Sequence, residues 1–599
     1  MKHETIKMPA AAARQMPAAQ SMECDAASVR RERLDRLMHA AVGRMTFGVA
    51  PAALGMAYLD WLSHLASAPG KQEELVEKAW HKWARLSRYA ARLAANPDCE
   101  PCIEPLAHDK RFAADEWKKW PFNLFSQGFL LSQQWWHTAT TNIRGVSPHH
   151  EAVVSFVGRQ MLDMLSPSNN PFLNPEILRR TAETGAANFR LGFSNWLEDV
   201  ERLMRNLPPV GAEAYRPGEQ VAITPGKVVY RNRVMELIQY EPTTKSVFAE
   251  PVLIVPAWIM KYYILDLSPH NSLVRHLVAQ GHTVFMVSWK NPDQDDRDLS
   301  LDDYLSEGAL VAIDAVSAIV PGQKIHAAGY CLGGTLLSMA AAALARKGDQ
   351  RLATITLLAA QTDFTEAGEL MLFIDDAEVS FLEDLMWSQG FLETRQMAGT
   401  FQLLRSNDLI WSLMVHEYLM GERAPMTDLM AWNADGTRLP TRMHSEYLRS
   451  MFLHNDLAEG RYKVDGSPIA VEDIKVPIFA VGTETDHVAP WRSVFKIHLL
   501  TDAEVTFVLT SGGHNAGIVS EPGHPHRFFR IATRAAGGSY RDPAEWQAAM
   551  PATDGSWWLK WDEWLAAHST EQVPPPPMGA AKQGYPVLGS APGKYVLIP

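Results

Sequence analysis

The sequence predicts an α/β architecture, a mostly parallel sheet with helices on both faces, preceded by a mainly helical N-terminal domain. Three observations carry this expectation. After Pro217-Gly218, short runs rich in Val, Ile and Phe alternate with helical stretches, the pattern of strands buried on both faces. Before that point apolar residues recur at three- and four-residue steps without such runs. At 599 residues the chain exceeds one ordinary core, so two folded units plus tails are expected.

Taken in order, residues 1–28 read as a disordered leader, and Val29-Arg-Arg-Glu-Arg opens a charged helical segment. The helical domain spans 29–215. The segment from Leu75 to Leu86 shows its periodicity, and Pro167, Pro171 and Pro175 mark a loop between two helices. A catalytic-type α/β domain follows over 216–570. Its predicted strands begin at Lys227, Val252, Thr283, Lys324, Ala353, Pro477 and Glu504. Between about 363 and 448 the strands stop, and a mainly helical insertion carrying Phe381, Trp387, Phe391, Trp411, Tyr418 and Trp432 takes their place. An insertion there lies over the carboxyl ends of the strands, so it reads as a lid. The tail 571–599, with Pro574 to Pro577, reads as irregular.

Lys324-Ile-His-Ala-Ala-Gly-Tyr-Cys-Leu-Gly-Gly-Thr is the most informative segment. It reads as a strand, the bend Gly329-Tyr330-Cys331-Leu332-Gly333, and an Ala/Leu-rich helix, the nucleophile elbow of an α/β-hydrolase fold. Gly329 and Gly333 leave room where side chains would collide. A thiol at a helix N-terminus faces the positive end of the dipole, and Leu332 N–H is a natural oxyanion donor. In this fold the acid and then the base follow later strands. Gly482-Thr-Glu-Thr-Asp-His supplies Asp486 after one strand, and Ser511-Gly-Gly-His supplies His514 after the next. Glu484 and His487 compete with them and read as loop or flanking residues. The expected triad is Cys331, Asp486 and His514.

Composition narrows the function classes. A net charge of −12 argues against nucleic acid as the main partner, because neutralising phosphates needs a basic surface. Cys24, Cys99, Cys102 and Cys331 are too few for a disulfide framework, which favours a reducing cytoplasm. Cys99 and Cys102 have CxxC spacing, but with no second pair and no nearby His pair they read as ordinary thiols, and no metal site is expected. No secretory h-region and no transmembrane segment are expected; the longest uncharged run near the start, Met45 to Leu59, contains Gly48, Pro51 and Gly55.

These residues also carry a family resemblance. Gly329-Tyr-Cys-Leu-Gly-Gly-Thr resembles the cysteine lipase box of polyhydroxyalkanoate synthases. So do Pro225-Gly-Lys-Val-Val-Tyr-Arg-Asn, Val255-Pro-Ala-Trp-Ile-Met-Lys-Tyr-Tyr, Ser288-Trp-Lys-Asn-Pro-Asp, Leu404-Arg-Ser-Asn-Asp-Leu, Trp432-Asn-Ala-Asp-Gly-Thr and Gly482-Thr-Glu-Thr-Asp-His. The resemblance covers roughly residues 100 to 540. Length and the long helical region are similar to class I, a single catalytic polypeptide acting as a homodimer. The chain departs from the family at Ser511-Gly-Gly-His514-Asn-Ala-Gly, where Ser-Gly-His is usual, and in a Trp-rich C-terminal part with Trp546, Trp557, Trp558, Trp561 and Trp564.

The resemblance implies an acyltransferase that joins (R)-3-hydroxyacyl groups from coenzyme A thioesters into polyhydroxyalkanoate and releases coenzyme A. It implies a cytoplasmic protein associated with polymer granules, whose partners are the acyl-CoA and the growing polyester chain or granule surface. No cofactor is implied, since coenzyme A is part of the substrate. Backbone N–H groups of Leu332 and of the Trp258-Ile259 region, Ile259 being the candidate, are expected to hold the oxyanion. His487, Arg405 and Trp432 are expected to flank the site or anchor the lid. The alternative within the same fold is a thioesterase or polyester depolymerase with water as acceptor.

Overall fold

The computed structural model describes residues 26–46, 48–106 and 109–599. The expected leader therefore lies outside the described residues as far as residue 25, and Cys24 with it; the first helix starts at Ala26 rather than Val29.

The N-terminal region is helical, with α1 (Ala26–Met45), α2 (Pro51–Ala66), α3 (Pro69–Ala95), α4 (Phe122–Thr140), α5 (Pro148–Met164), α6 (Pro175–Thr184) and α7 (Ala187–Met204). Local chemistry sets several of the boundaries. Pro opens α2, α3, α5 and α6, where a missing N–H costs nothing. Asn174 caps α6 by accepting from Glu176 and Ile177 N–H, and Gly185 closes it in the left-handed region at φ 58°. These helices do not share one core. Tyr89, Leu93, Cys102, Ile103, Leu130 and Leu131 form a small cluster between α3 and α4. Elsewhere the apolar faces turn outward onto the later insertion: Ala50 and Ala53 pack on Phe381, and Ile177 packs on Val415 and Met420. The N-terminal helices thus pack on one another and on the insertion.

The sheet has eleven strands. They are β1 (Gly226–Arg231), β2 (Met235–Tyr240), β3 (Val252–Val255), β4 (Val284–Trp289), β5 (Ile325–Tyr330) and β6 (Leu352–Leu358), then β7 (Ile478–Thr483), β8 (Val505–Thr510), β9 (Phe528–Arg534), β10 (Thr553–Asp554) and β11 (Gly589–Ser590). Their order across the sheet is β10-β9-β8-β7-β6-β5-β3-β4-β2-β1-β11. The central pairings β4-β3, β3-β5, β5-β6, β6-β7 and β7-β8 are parallel, and both flanks are antiparallel. Strands β3, β4, β5, β7 and β8 are buried along their whole length, as continuous apolar runs require. The active-site end is the carboxyl end of these parallel strands.

The insertion lies between β6 and β7. Its helical part runs on to Leu453, past the expected end at 448, and includes the helices Asp376–Gln389, Thr394–Leu404, Asp428–Asn433 and Thr441–Tyr447. One short strand pair, Phe391–Leu392 with Leu439–Pro440, closes within it, where no strand was expected.

The tail expected to be irregular has few regular elements, yet it is strapped down. Gly589–Ser590 extends the sheet beside β1. The Glu236 carboxylate, fully buried, accepts the N–H groups of Lys594 and Tyr595 at 2.8 and 2.9 Å. Lys261 Nζ donates to Ile598 O, and Asn291 Nδ2 donates to Pro599 O at 2.8 Å. Paired polar groups of this kind have no local sequence signature, so composition alone suggested only an irregular tail.

Candidate active site

Cys331 stands at the sharp turn between β5 and the helix Leu332–Arg346, with φ 52° and ψ −123°. A non-glycine residue in that region is strained, and the surroundings hold it there. Its N–H donates to Leu358 O at 2.9 Å, while its carbonyl accepts from Gly334 N–H at 2.9 Å. The neighbouring glycines are obligatory by contact: a Cβ on Gly333 would lie 2.1 Å from Val255 O, and one on Gly329 would lie 2.4 Å from Gly334 Cα. The close approach of Gly333 also seats the loop after β3 against the turn. Leu332 is the first helical residue, so its N–H has no partner inside the helix and is free to serve an anion.

Asp486 and His514 stand just beyond β7 and β8, which pair in parallel. His514 Nδ1 donates to Asp486 Oδ2 at 2.8 Å. The aspartate is held by three more donors, Thr483 Oγ1 at 2.8 Å and the N–H groups of Val488 and Ala489 at 2.8 and 2.9 Å. Burial pushes the Asp486 carboxyl up, but the His514 charge, its hydrogen bond and the two amides outweigh that and hold it below the usual carboxylate range. Burial likewise pushes His514 down, yet the adjacent Asp486 and Cys331 raise it well above the ordinary imidazole value. The Cys331 thiol stands close enough to the His514 ring for its charge to act on it. With Nδ1 committed to Asp486, Nε2 is the nitrogen left for sulfur. Thiol, imidazole and carboxylate are therefore brought together at the carboxyl end of the sheet.

The remaining candidates fall into distinct places. Glu484 accepts from Gln547 Nε2 at 3.1 Å, so Asp486 is the carboxylate on the imidazole. His487 is largely buried beside the site, close enough to Arg405, Asp486 and His514 for their charges to act on it. Burial lowers its pKa, which keeps the ring neutral, and its Nδ1 has no protein partner. Arg405 is half-exposed and pairs with Asp408 inside the insertion. Trp432 is buried and donates from Nε1 to Lys261 O at 2.8 Å, tying the insertion to the loop after β3. Ile259 lies in that loop, partly buried against the same core as Leu332.

Sequence reasoning did not reach several residues that shape the site. Tyr330, the residue before the nucleophile position, lays its ring 5.6 Å from the His514 ring and donates its hydroxyl to Asn515 Oδ1 at 2.6 Å. Tyr447 is buried near Cys331, with its ring 6.1 Å from Trp258. The Trp-rich C-terminal part braces the loop after His514: Trp557 Nε1 donates to Gly517 O at 3.0 Å and Trp558 Nε1 to Ile518 O at 2.9 Å. The Gly-Gly-His-Asn departure and the tryptophan cluster were visible signals, but their partners were not.

Among the described residues no His, Cys, Asp and Glu group is arranged to hold a metal ion. No described helix is long and apolar enough to cross a membrane.

A sheet of this order, with a thiol on the elbow and an imidazole and a carboxylate behind it, defines an α/β-hydrolase-fold protein with cysteine at the nucleophile position. The family model for the alpha/beta hydrolase fold matches residues 250–520, and two others, described as poly-beta-hydroxybutyrate polymerase (PhaC) N-terminus and poly-beta-hydroxybutyrate polymerase N terminal, match residues 108–277 and 30–71. The chain is 40% identical over 542 residues to a poly(3-hydroxyalkanoate) polymerase of Methylorubrum extorquens, covering 90% of this chain and 88% of that one. It is 35% identical to the poly(3-hydroxyalkanoate) polymerase subunit PhaC of Rhizobium meliloti (strain 1021), with 90% and 87% covered. To the corresponding subunit of Cupriavidus necator it is 34% identical, with 91% of each chain covered. The chain belongs to the poly(3-hydroxyalkanoate) polymerase family.

Proposed function

We propose that the protein polymerises (R)-3-hydroxyacyl-CoA into polyhydroxyalkanoate and releases coenzyme A, as an acyltransferase with Cys331 as nucleophile, His514 as base and Asp486 as the group that orients and charges the imidazole. The observation that carries this reading is the grouping of Cys331 at the elbow with the hydrogen-bonded His514–Asp486 pair in a chain of this family.

In the first half-reaction His514 takes the thiol proton and the Cys331 sulfur attacks the thioester carbonyl. The C–S bond to coenzyme A breaks, and the proton leaves with the released thiolate. One thioester replaces another at similar free energy, so the acyl-Cys stays reactive, whereas a Ser would form a more stable oxyester. Leu332 N–H and Ile259 N–H stabilise the tetrahedral oxyanion, each worth on the order of 3 kcal/mol. In the second half-reaction the hydroxyl of a monomer or chain end attacks the acyl-Cys and its proton passes to the imidazole. The bond from the acyl carbon to the Cys331 sulfur breaks, the new ester is released and the proton returns to the Cys331 thiolate. A covering insertion favours this acceptor over water. Neither half-reaction calls for a metal or organic cofactor. The same reading assigns (R)-3-hydroxyacyl-CoA and the growing chain or granule surface as partners, a homodimer as the working state, and the cytoplasmic granule as the place of action.

Incubation of the purified protein with (R)-3-hydroxybutyryl-CoA tests the reading. Free coenzyme A together with insoluble polyester is the expected result. Soluble 3-hydroxybutyrate in place of polymer would identify a hydrolase instead.

A further inference from the structure

Residues 432–437, where the insertion returns towards the sheet, touch both halves of the candidate machinery. On one side Thr437, buried at 2% exposure, donates its hydroxyl to Trp258 O and its backbone N–H to Ile259 O, the latter at 3.2 Å. Gly436 bridges Met260, and Trp432 Nε1 holds Lys261 O. On the other side Asn433 Oδ1 accepts from Asn515 Nδ2 at 3.2 Å. Asn515 in turn accepts the Tyr330 hydroxyl at 2.6 Å, and the Tyr330 ring faces His514.

The peptide bond is planar and trans, so Trp258 C=O and Ile259 N–H belong to one rigid plane and point in opposite directions. A hydroxyl that fixes Trp258 O therefore also fixes the direction of Ile259 N–H. Resting on the reading of Cys331 as nucleophile and Ile259 N–H as oxyanion donor, we propose that residues 432–437 position the acylation machinery. Thr437 aims the oxyanion donor, and Asn433, through Asn515, holds the loop that carries His514. The insertion is then part of the site's geometry as well as its cover, and any displacement of it loosens donor and base together. Lys261 anchors the far end of the same loop: its ammonium is buried, donates to Ile598 O and feels the Asp435 charge.

The test compares full-length wild type with Thr437→Val, Thr437→Ser and Asn433→Ala. Rapid-quench measurement of coenzyme A release from (R)-3-hydroxybutyryl-CoA gives the acylation rate. Iodoacetamide alkylation across pH, followed by mass spectrometry on the Cys331 peptide, reports the Cys331–His514 pair apart from Cys24, Cys99 and Cys102. Thr437→Val is expected to slow acylation about ten- to a hundredfold, with KM and the alkylation profile unchanged, and Thr437→Ser to restore most of the rate. Asn433→Ala, a substitution at an exposed side chain, is expected to shift the alkylation profile. Wild-type acylation by Thr437→Val, or a Ser variant as slow as the Val variant, would overturn the role of Thr437. An unchanged profile in Asn433→Ala would overturn the role of Asn433. Thr437→Ala carries the same expectation should the Val variant not fold. Wild type that releases no coenzyme A would refute the proposed function instead, and the Thr437 comparison would then be made on phenyl thioacetate.

Discussion

At the scale of single residues, the elbow strain and the charge pattern lead to separate tests. Cys331→Ala should abolish coenzyme A release while leaving the fold in place, and retained turnover would remove it as nucleophile. Cys331→Ser should be far slower, because a hydroxyl is the poorer nucleophile at neutral pH. Asp486→Asn removes the charge that raises His514; His514 should then titrate closer to the ordinary imidazole value, and turnover should fall about 10⁴-fold by analogy with other triads. An NMR titration of the His514 ring in the two forms checks the first, and steady-state release of coenzyme A checks the second.

At the scale of elements, two contacts decide how the pieces meet. Gly333→Ala would place a Cβ 2.1 Å from Val255 O, against backbone that has little freedom to move. It should part the elbow from the loop after β3 and abolish acylation, with a lower thermal midpoint. Retained acylation would mean that this close approach is not required. The second contact joins α2 to the insertion helix Asp376–Gln389: Glu378 accepts Ala50 N–H at 2.8 Å. Burial raises the Glu378 pKa from 4.5 to about 7, although the Ala50 hydrogen bond opposes the shift. A raised acid is protonated in the fold while the unfolded chain is already ionised. Its penalty is therefore absent below pH 4.5, grows through the window from 4.5 to about 7, and is complete above it. Glu378→Gln should gain thermal stability relative to wild type as pH rises through that window; parallel melting curves would refute the assignment.

At the scale of the whole molecule, the N-terminal helices and the C-terminal strap meet the rest of the fold in different ways. The N-terminal helices cover the insertion through small contacts such as Ala53 on Phe381, while the C-terminal strap satisfies buried groups of the sheet. Ending the chain at Ala591 would remove two donors from the fully buried Glu236 and the carbonyl partner of Lys261. Unsatisfied buried groups cost roughly 1–3 kcal/mol each, so the thermal midpoint should drop by several degrees. An unshifted melt would show that the strap adds nothing.

What the sequence determined by itself was the chemistry and the frame. The elbow is local: glycines, nucleophile and helix lie within a dozen residues, and strand runs announce the loops that bear Asp486 and His514. Apolar runs alternating with helical stretches likewise foretold the parallel sheet, and the break in those runs the helical insertion. The sequence favoured Asp486 over Glu484, but both follow the same strand, and only side-chain direction shows which of them meets the imidazole. The tertiary structure alone decided that the tail is a strap, that Thr437 meets Trp258, and that Asn515 meets Tyr330 and Asn433. Those contacts span 179, 185 and 82 residues of chain. Periodicity encodes which face a residue takes, and a hydrogen bond between distant segments depends on where two such faces finally meet.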